Sequence, residues 1–187
     1  MLRVPARISS ERTQQGAEAV RTAQSAFDLN FLESSVGYLL RRAQLELSRQ
    51  FMHTVGTRNG IRPGAFGALV LASANPGIDQ MQIATMLGLD KANVASLIRD
   101  LVRGGWLARR RVARDRRCQG VFLTPGGVGK LAALKREIRD LDQSFCRSLS
   151  DSERTTLVRL LARVCFGPAA SEDVGAKLSA REISRER

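Results

Sequence analysis

The stretch Asp79-Gln-Met-Gln-Ile-Ala-Thr-Met-Leu-Gly-Leu-Asp90-Lys-Ala-Asn-Val-Ala-Ser-Leu-Ile-Arg-Asp-Leu-Val-Arg-Gly-Gly-Trp106 holds two helix starts and two helix stops. Asp79 precedes the apolar set Met81, Ile83, Ala84 and Leu87, and Gln82 three positions on completes a capping-box pair. Gly88 ends that helix. Asp90 opens a second one, in which Val94, Leu97, Ile98, Leu101 and Val102 point inward until Gly104-Gly105 stops it. Neither helix can bury its apolar side alone, so the two must pack together and on their neighbours. The outward positions of the second helix are Lys91, Asn93 and Ser96, followed a turn later by Arg99 and Arg103.

Downstream the period changes from helical to alternating. Trp106–Val112 and Gln119–Thr124 read as two short strands around a polar turn, Ala113–Arg117. A long helix is expected from Pro125 to Leu149, with Val128, Leu131, Leu134, Ile138, Leu141 and Phe145 on one stripe. Ser150 and Glu153 form another capping box, opening a last helix that carries Leu157, Leu160, Leu161 and Val164. Upstream, Val36, Leu39, Leu40, Ala43, Leu47 and Phe51 recur at spacings of three and four, and Gly56–Gly60 is expected to end that helix. Pro63 suits the first turn of the next, which carries Phe66, Leu69, Val70 and Leu71 and stops at Asn75-Pro76-Gly77.

The fold expected is mainly α with a small β-hairpin wing, a winged helix-turn-helix with further helices at both ends. Residues 1–29 are expected to be a flexible arm and 168–187 a flexible tail. Residues 30–60 and 125–167 are expected to be helical, and 61–124 to hold the winged helix-turn-helix.

The formal net charge is +12, a surplus that implies an anionic partner. It is focused: between Lys91 and Arg117 nine basic residues face two acidic ones, while the last twenty residues sum to zero. The three cysteines, Cys118, Cys146 and Cys165, are odd in number and far apart, which fits a reducing cytoplasm rather than a disulfide scaffold. No apolar run approaches a membrane span, and the N-terminus lacks a secretory h-region.

Short polar side chains near a helix start can approach base edges in the major groove, Asn pairing with adenine and Lys with guanine, while Ser adapts to either. Arg99 and Arg103 are better placed for phosphates. Arginines of the hairpin tip can enter the flanking minor groove. The candidate DNA contacts are therefore Lys91, Asn93, Ser96, Arg99, Arg103, Arg110, Arg114, Asp115, Arg116 and Arg117. Within Arg109-Arg110-Arg111 at least one member is expected on DNA, the bland reading being a solvated strand edge.

Asp79–Ala84, Leu89–Leu107, the Asp115-Arg116-Arg117 wing and Val121-Phe-Leu-Thr-Pro-Gly126 together resemble the MarR family of bacterial transcription regulators, and the likeness runs from about Ser34 to Cys165. The resemblance implies a homodimer on a palindromic double-stranded DNA operator, with N- and C-terminal dimerisation helices in residues 30–60 and 125–167 and the DNA-binding lobe in 61–124. It also implies a wing arginine in the minor groove, oriented by the aspartate two positions before it: Arg117 braced by Asp115. It implies further a repressor released by a small aromatic acid or aromatic CoA thioester, held by apolar walls with an Arg or His handle. The candidate effector contacts are Tyr38, Arg41, Arg42, His53, Arg62 and Phe66. Arg41 and Arg42 read equally as exposed helix charges, and His53 as a packing or surface histidine.

Rival readings are a DNA-binding regulator or architectural protein without an effector, and a redox-responsive regulator through Cys118, whose basic neighbours lower a thiol's pKa. Trp106 is expected to anchor the hairpin rather than stack on a base. Gly126-Gly-Val-Gly-Lys130 lacks the first Gly and the Ser/Thr of a phosphate loop. A single histidine with dispersed cysteines makes no zinc site. Without paired carboxylates or a nucleophile motif the chain is not expected to be an enzyme, and no cofactor or metal is called for.

Overall fold

The computed structural model describes residues 28–112 and 115–169, with the backbone alone at 112 and 115–118. The chain divides into two compact units, residues up to Leu141 and residues from Asp142 on. The first opens with a 3-10 turn, Asn30–Ser34, leading into α1, Val36–Phe51. Ser35 caps α1 by accepting a 3.5 Å bond from the Tyr38 amide. Only Phe51 of α1 is buried, and Val36, Leu39 and Leu40 are exposed. The first half of the apolar stripe legible in the sequence thus lies uncovered on a single chain, while Leu47 and Phe51 pack on the core.

The helix ends within the expected Gly56–Gly60 segment: it runs through a π turn, Met52–Gly56, and a last turn, Thr57–Asn59, and stops at left-handed Gly60. Side-chain donors sustain the last turns: the Thr57 hydroxyl donates to the Met52 carbonyl at 2.6 Å and the Asn59 amide to the Val55 carbonyl at 2.9 Å. Pro63 lies outside the helix expected to contain it. α2 spans Ala65–Ala74 and is entered through Gly64 at φ 91°, a left-handed backbone that no α-helical turn can include. Ala65, Ala68, Leu69 and Ala72 of α2 are buried and Phe66, Val70 and Leu71 pack against the core, so this helix is apolar on several sides because it is covered on several sides.

α3, Gln80–Leu87, and α4, Lys91–Arg103, pack on α2 and on each other through Ile83, Ala84, Val94, Leu97, Ile98 and Leu101, all buried. β1, Leu107–Val112, and β2, Asp115–Leu123, form an antiparallel hairpin in register from Leu107↔Leu123 to Arg111↔Gln119. There the ladder bulges, and pairing resumes at Val112↔Asp115. Asp115, Arg116 and Arg117, expected in the turn, therefore belong to β2, because the bulge takes up the extra residues on that strand. A third strand element is a single residue: Ile78 bridges Val121, with the Val121 amide donating to the Ile78 carbonyl at 2.8 Å and the Gly77 amide to the Val121 carbonyl at 3.0 Å.

Thr124 hinges the hairpin to α5, Pro125–Phe145: its hydroxyl donates to the Gly105 carbonyl at 2.6 Å and accepts from the Gly127 amide at 2.9 Å. Gly126–Lys130 is thus a helix start. A Cβ on Gly127 would collide with the Trp106 carbonyl oxygen and stand 2.9 Å from a Leu123 methyl. Gly127→Ala is accordingly expected to cost about 1–3 kcal/mol through overpacking, read as a lowered midpoint in urea or thermal unfolding. Leu131, Leu134 and Leu141 of α5 are buried, while Val128, expected on the same stripe, is 58% exposed one turn before the helix meets the core.

The second unit begins in the last turn of α5. That helix stops at Phe145 rather than Leu149, since a turn at Cys146–Leu149 frees Ser150 to cap α6, Asp151–Phe166. The capping box is complete: the Glu153 amide donates to Ser150 Oγ, and the Ser150 amide donates to Glu153 Oε2 at 2.8 Å. The Ser150 backbone and hydroxyl bonds hold the Glu153 carboxyl below its ordinary range. Leu157, Leu160, Leu161 and Val164 of α6 are exposed, a second uncovered apolar face.

Candidate nucleic-acid interface

The reading helix α4 is held from both ends and from behind. At its start Asp90 Oδ1 accepts from the Asn93 amide at 2.8 Å, and Asp90 Oδ2 accepts from the Asn93 side chain. These bonds, the Asn93 amide first, keep the Asp90 carboxyl below the usual carboxylate range. They engage one of the two side-chain N–H groups of Asn93, leaving the other and the carbonyl oxygen free of this cap. In α3 the box is reciprocal: Asp79 Oδ1 accepts from the Met81 and Gln82 amides at 2.7 and 2.9 Å, and the Asp79 amide donates to Gln82 Oε1 at 3.1 Å. Asp79→Ala is expected to cost about 1 kcal/mol of stability, the usual worth of such a cap, checked by chemical denaturation.

Lys91, Asn93, Arg99 and Arg103 are exposed on α4, and Ser96 is half-buried. Ser96 and Arg103 are already engaged. Arg62, in the turn before α2, donates to Ser96 Oγ at 3.2 Å and to Asp100 Oδ2 at 2.8 Å, while Arg103 donates to Asp100 Oδ1 at 2.8 Å. One carboxylate therefore serves two guanidinium groups on the outward side of α4. On the wing Arg110 and Arg111 are exposed, and Arg109 donates to Gln80 Oε1 at 2.8 Å, tying β1 to the first turn of α3. Arg114 lies outside the described residues, and so do the side chains of Asp115, Arg116, Arg117 and Cys118.

Trp106 is half-buried against the core, with the Lys130 ammonium 4.7 Å above its ring. Lys130 also donates to Asn59 Oδ1 at 2.7 Å, and Asn59 donates to Glu137 Oε2 at 2.9 Å. The base of the wing is thereby bound to the end of the first helical segment and to α5.

Of the expected effector contacts, Tyr38, Arg41 and Arg42 lie on α1 and His53 is exposed in the π turn, while Phe66 packs against the core from α2. A groove of about 400 Å³ beside α4 takes in only Arg62 of the six, with Gly60, Ile61, Ala65, Leu97, Asp100, Leu101, Arg103, Gly104 and Trp106 as its other walls. Asp100, Gln80 and Ile78 are the site residues that sequence reasoning missed. The carboxylate within a run of nine cations was the available signal for Asp100. Cys146 is half-buried, and burial, with the nearby Asp142 carboxylate, pushes its thiol above the ordinary range, which favours the unreactive protonated form.

Two helices joined by a sharp turn, the second exposing a polar and basic face, with an arginine-rich hairpin beside it, define a winged helix-turn-helix DNA-binding lobe. Residues 59–117 match the MarR family. A protein of Thauera aromatica described as a putative transcriptional regulatory protein for the hcr operon is 35% identical over 133 residues, 71% of this chain and 80% of that protein. The repressor CouR bound to a 23-mer DNA duplex is 31% identical, with a TM-score of 0.68 over 74% of this chain and 98% of CouR. CouR has also been solved bound to p-coumaroyl-CoA, a structure with which this chain shares 30% identity at a TM-score of 0.65, over 75% of this chain and 98% of CouR. BpsR of Bordetella bronchiseptica, whose structure concerns regulation of DNA binding by 6-hydroxynicotinic acid, is 25% identical with a TM-score of 0.67, over 76% of this chain and all of BpsR. The chain belongs to the MarR family of DNA-binding transcription regulators. Among the described residues, no helix is long and apolar enough to cross a membrane.

Proposed function

We propose that this protein is a ligand-responsive repressor that binds a palindromic operator as a homodimer and leaves it when a small aromatic acid or aromatic CoA thioester binds. The observation that carries this reading is the match to CouR along nearly its whole length, together with the two states in which CouR is known, on DNA and with an aromatic thioester. BpsR and 6-hydroxynicotinic acid support the same ligand class.

In this reading Lys91, Asn93, Ser96 and Arg99 meet base edges and nearby phosphates, Arg103 and Arg110 hold the backbone, and Arg114, Arg116 and Arg117 of the wing reach the flanking minor groove with Asp115 orienting Arg117. The uncovered apolar residues of α1 and, separately, of α6 support pairing of two chains, since several large apolar side chains left exposed along one helix mark an interaction surface. Residues 30–60 and 125–167 would supply that pairing and 61–124 the DNA lobe, acting in the cytoplasm. The test is a gel-shift titration on DNA from upstream of the protein's own gene, with aromatic acids and thioesters added to the preformed complex. Saturable release by one of them is the expected result. Binding indifferent to all of them would leave a regulator without an effector.

A further inference from the structure

Three parts of the chain meet at one side chain, Lys130, in the second turn of α5. Its ammonium stands 4.7 Å above the ring of Trp106, at the foot of the wing. It also donates at 2.7 Å to Asn59 Oδ1, on the last residue of the first helical segment. The other end of the Asn59 amide is engaged too, donating to the Val55 carbonyl and to Glu137 Oε2, both at 2.9 Å. Asn59 thus accepts from one turn of α5 and donates to a carboxylate two turns on, a double role that needs an amide. Arg58 adds a looser pair with Glu137 at 3.7 Å.

Two kinds of contact divide the work here. Phe51 and Val55 hold the first helical segment to the core by apolar packing, which is non-directional and fixes no angle. Hydrogen bonds do fix one. Thr124 already ties the start of α5 to the foot of the wing, through the Gly105 carbonyl and the Gly127 amide. Among the described residues, the polar links from Thr57–Asn59 to α5 and the wing are those of Asn59 and Arg58. Arg58 is 71% exposed, so its pair with Glu137 is weakly held. The angle therefore depends on Asn59, and on Lys130 held between it and the indole face.

We propose that Lys130, with Asn59, is a positioning clamp that sets the angle at which the first helical segment leaves the DNA-binding lobe, and so the gap between half-sites that a dimer accepts. The inference rests on the paired reading above, in which that segment helps to join two chains. A dimer reaches both half-sites only if its two lobes stand at the matching distance and rotation. One extra base pair moves a half-site by about 3.4 Å and about a tenth of a helical turn. A lobe that rocks on apolar packing absorbs such an error, and a clamped lobe refuses it. Lys130 acts through Trp106 and Asn59, not on the DNA.

The full-length protein would be measured by fluorescence anisotropy on its operator and on operators with the central gap one base pair longer or shorter. A duplex carrying a single half-site completes the set. Wild type is expected to prefer the native gap by about tenfold or more, on the scale of one mismatched base pair. K130M, whose thioether still packs on Trp106 without charge, should lose most of that preference. Its affinity for the single half-site should stay within about twofold of wild type. K130R, whose guanidinium also stacks on an indole and donates, should keep the preference. N59L should match K130M, and the double variant should be no worse than either alone, as for two ends of one bond. Trp106 is the chain's one tryptophan, so its emission should shift when K130M takes the ammonium from its face.

An unshifted emission overturns the clamp. So does a gap preference unchanged in K130M and N59L, or one lost together with half-site affinity, as a merely structural role would produce. If K130M fails to fold, N59L carries the test by the same readouts. A wild type that sediments as a dimer yet is indifferent to the gap overturns the clamp and leaves the paired reading standing. A wild type that sediments as a monomer, and binds one half-site as well as the operator, overturns both.

Discussion

Raising salt from about 50 to about 200 mM is expected to weaken operator binding by a factor on the order of 10³–10⁵, the loss typical when six to ten phosphates are neutralised. The expectation follows from where the cations are. Lys91, Arg99, Arg103, Arg110, Arg114, Arg116 and Arg117 lie in one lobe, and a dimer presents that set twice. Each cation seated on a phosphate releases condensed counterions, and added salt opposes that release. Not all seven need contribute, because Arg103 already shares Asp100 with Arg62. The measurement is fluorescence anisotropy on a labelled operator across a salt series, and the slope of log affinity against log salt counts the phosphates engaged. A slope near zero would contradict docking through this face.

Arg117→Ala is expected to weaken operator binding by about 1–3 kcal/mol for each half-site, the usual worth of one specific groove contact. The residue belongs to β2, within the irregular stretch between the Arg111↔Gln119 and Val112↔Asp115 pairs, so a melting temperature measured beside the affinity separates lost contact from lost fold. The loss should be larger on operators with A·T-rich flanks than on G·C-rich ones, since a narrow minor groove strengthens the field that an inserted arginine feels. Unchanged affinity with an unchanged melting temperature would remove Arg117 from the interface.

How much of this was legible in the sequence depended on whether the signal was local. Asp79 with Gln82 and Ser150 with Glu153 are capping boxes in the sequence and in the structure, because a cap is settled within four residues. The inward set Val94, Leu97, Ile98 and Leu101 is buried as its spacing predicts. The helix from Val36 stops at Gly60, inside the Gly56–Gly60 segment that the sequence marks, with side-chain donors at Thr57 and Asn59 carrying it through Gly56. Where local signals compete, the reading slipped. Pro63 looked like a first turn, yet the backbone of Gly64 postpones the helix to Ala65.

Contacts between distant segments left no trace of that kind. Ile78 pairs with Val121 through backbone alone, which any side chain would permit. Arg62 looked like an effector handle by residue type, and its bonds to Ser96 and Asp100, 34 and 38 positions away, appear only once the chain is folded. For the DNA-facing residues the sequence supplied a location, a basic run on a capped helix and a hairpin. It could not show that one side-chain N–H of Asn93 is held by Asp90.

The single-residue strand at Ile78 has a consequence for how operators and regulators of this design diverge. It welds the wing to the segment that leads into α3, and the Arg109–Gln80 bond repeats the weld one residue pair away. The span from reading helix to wing is then a fixed gauge, and a half-site must be written to that gauge. Drift in the length of a half-site is closed to this lobe, and what remains free to vary is the gap between two half-sites, set by whatever joins one chain to the other.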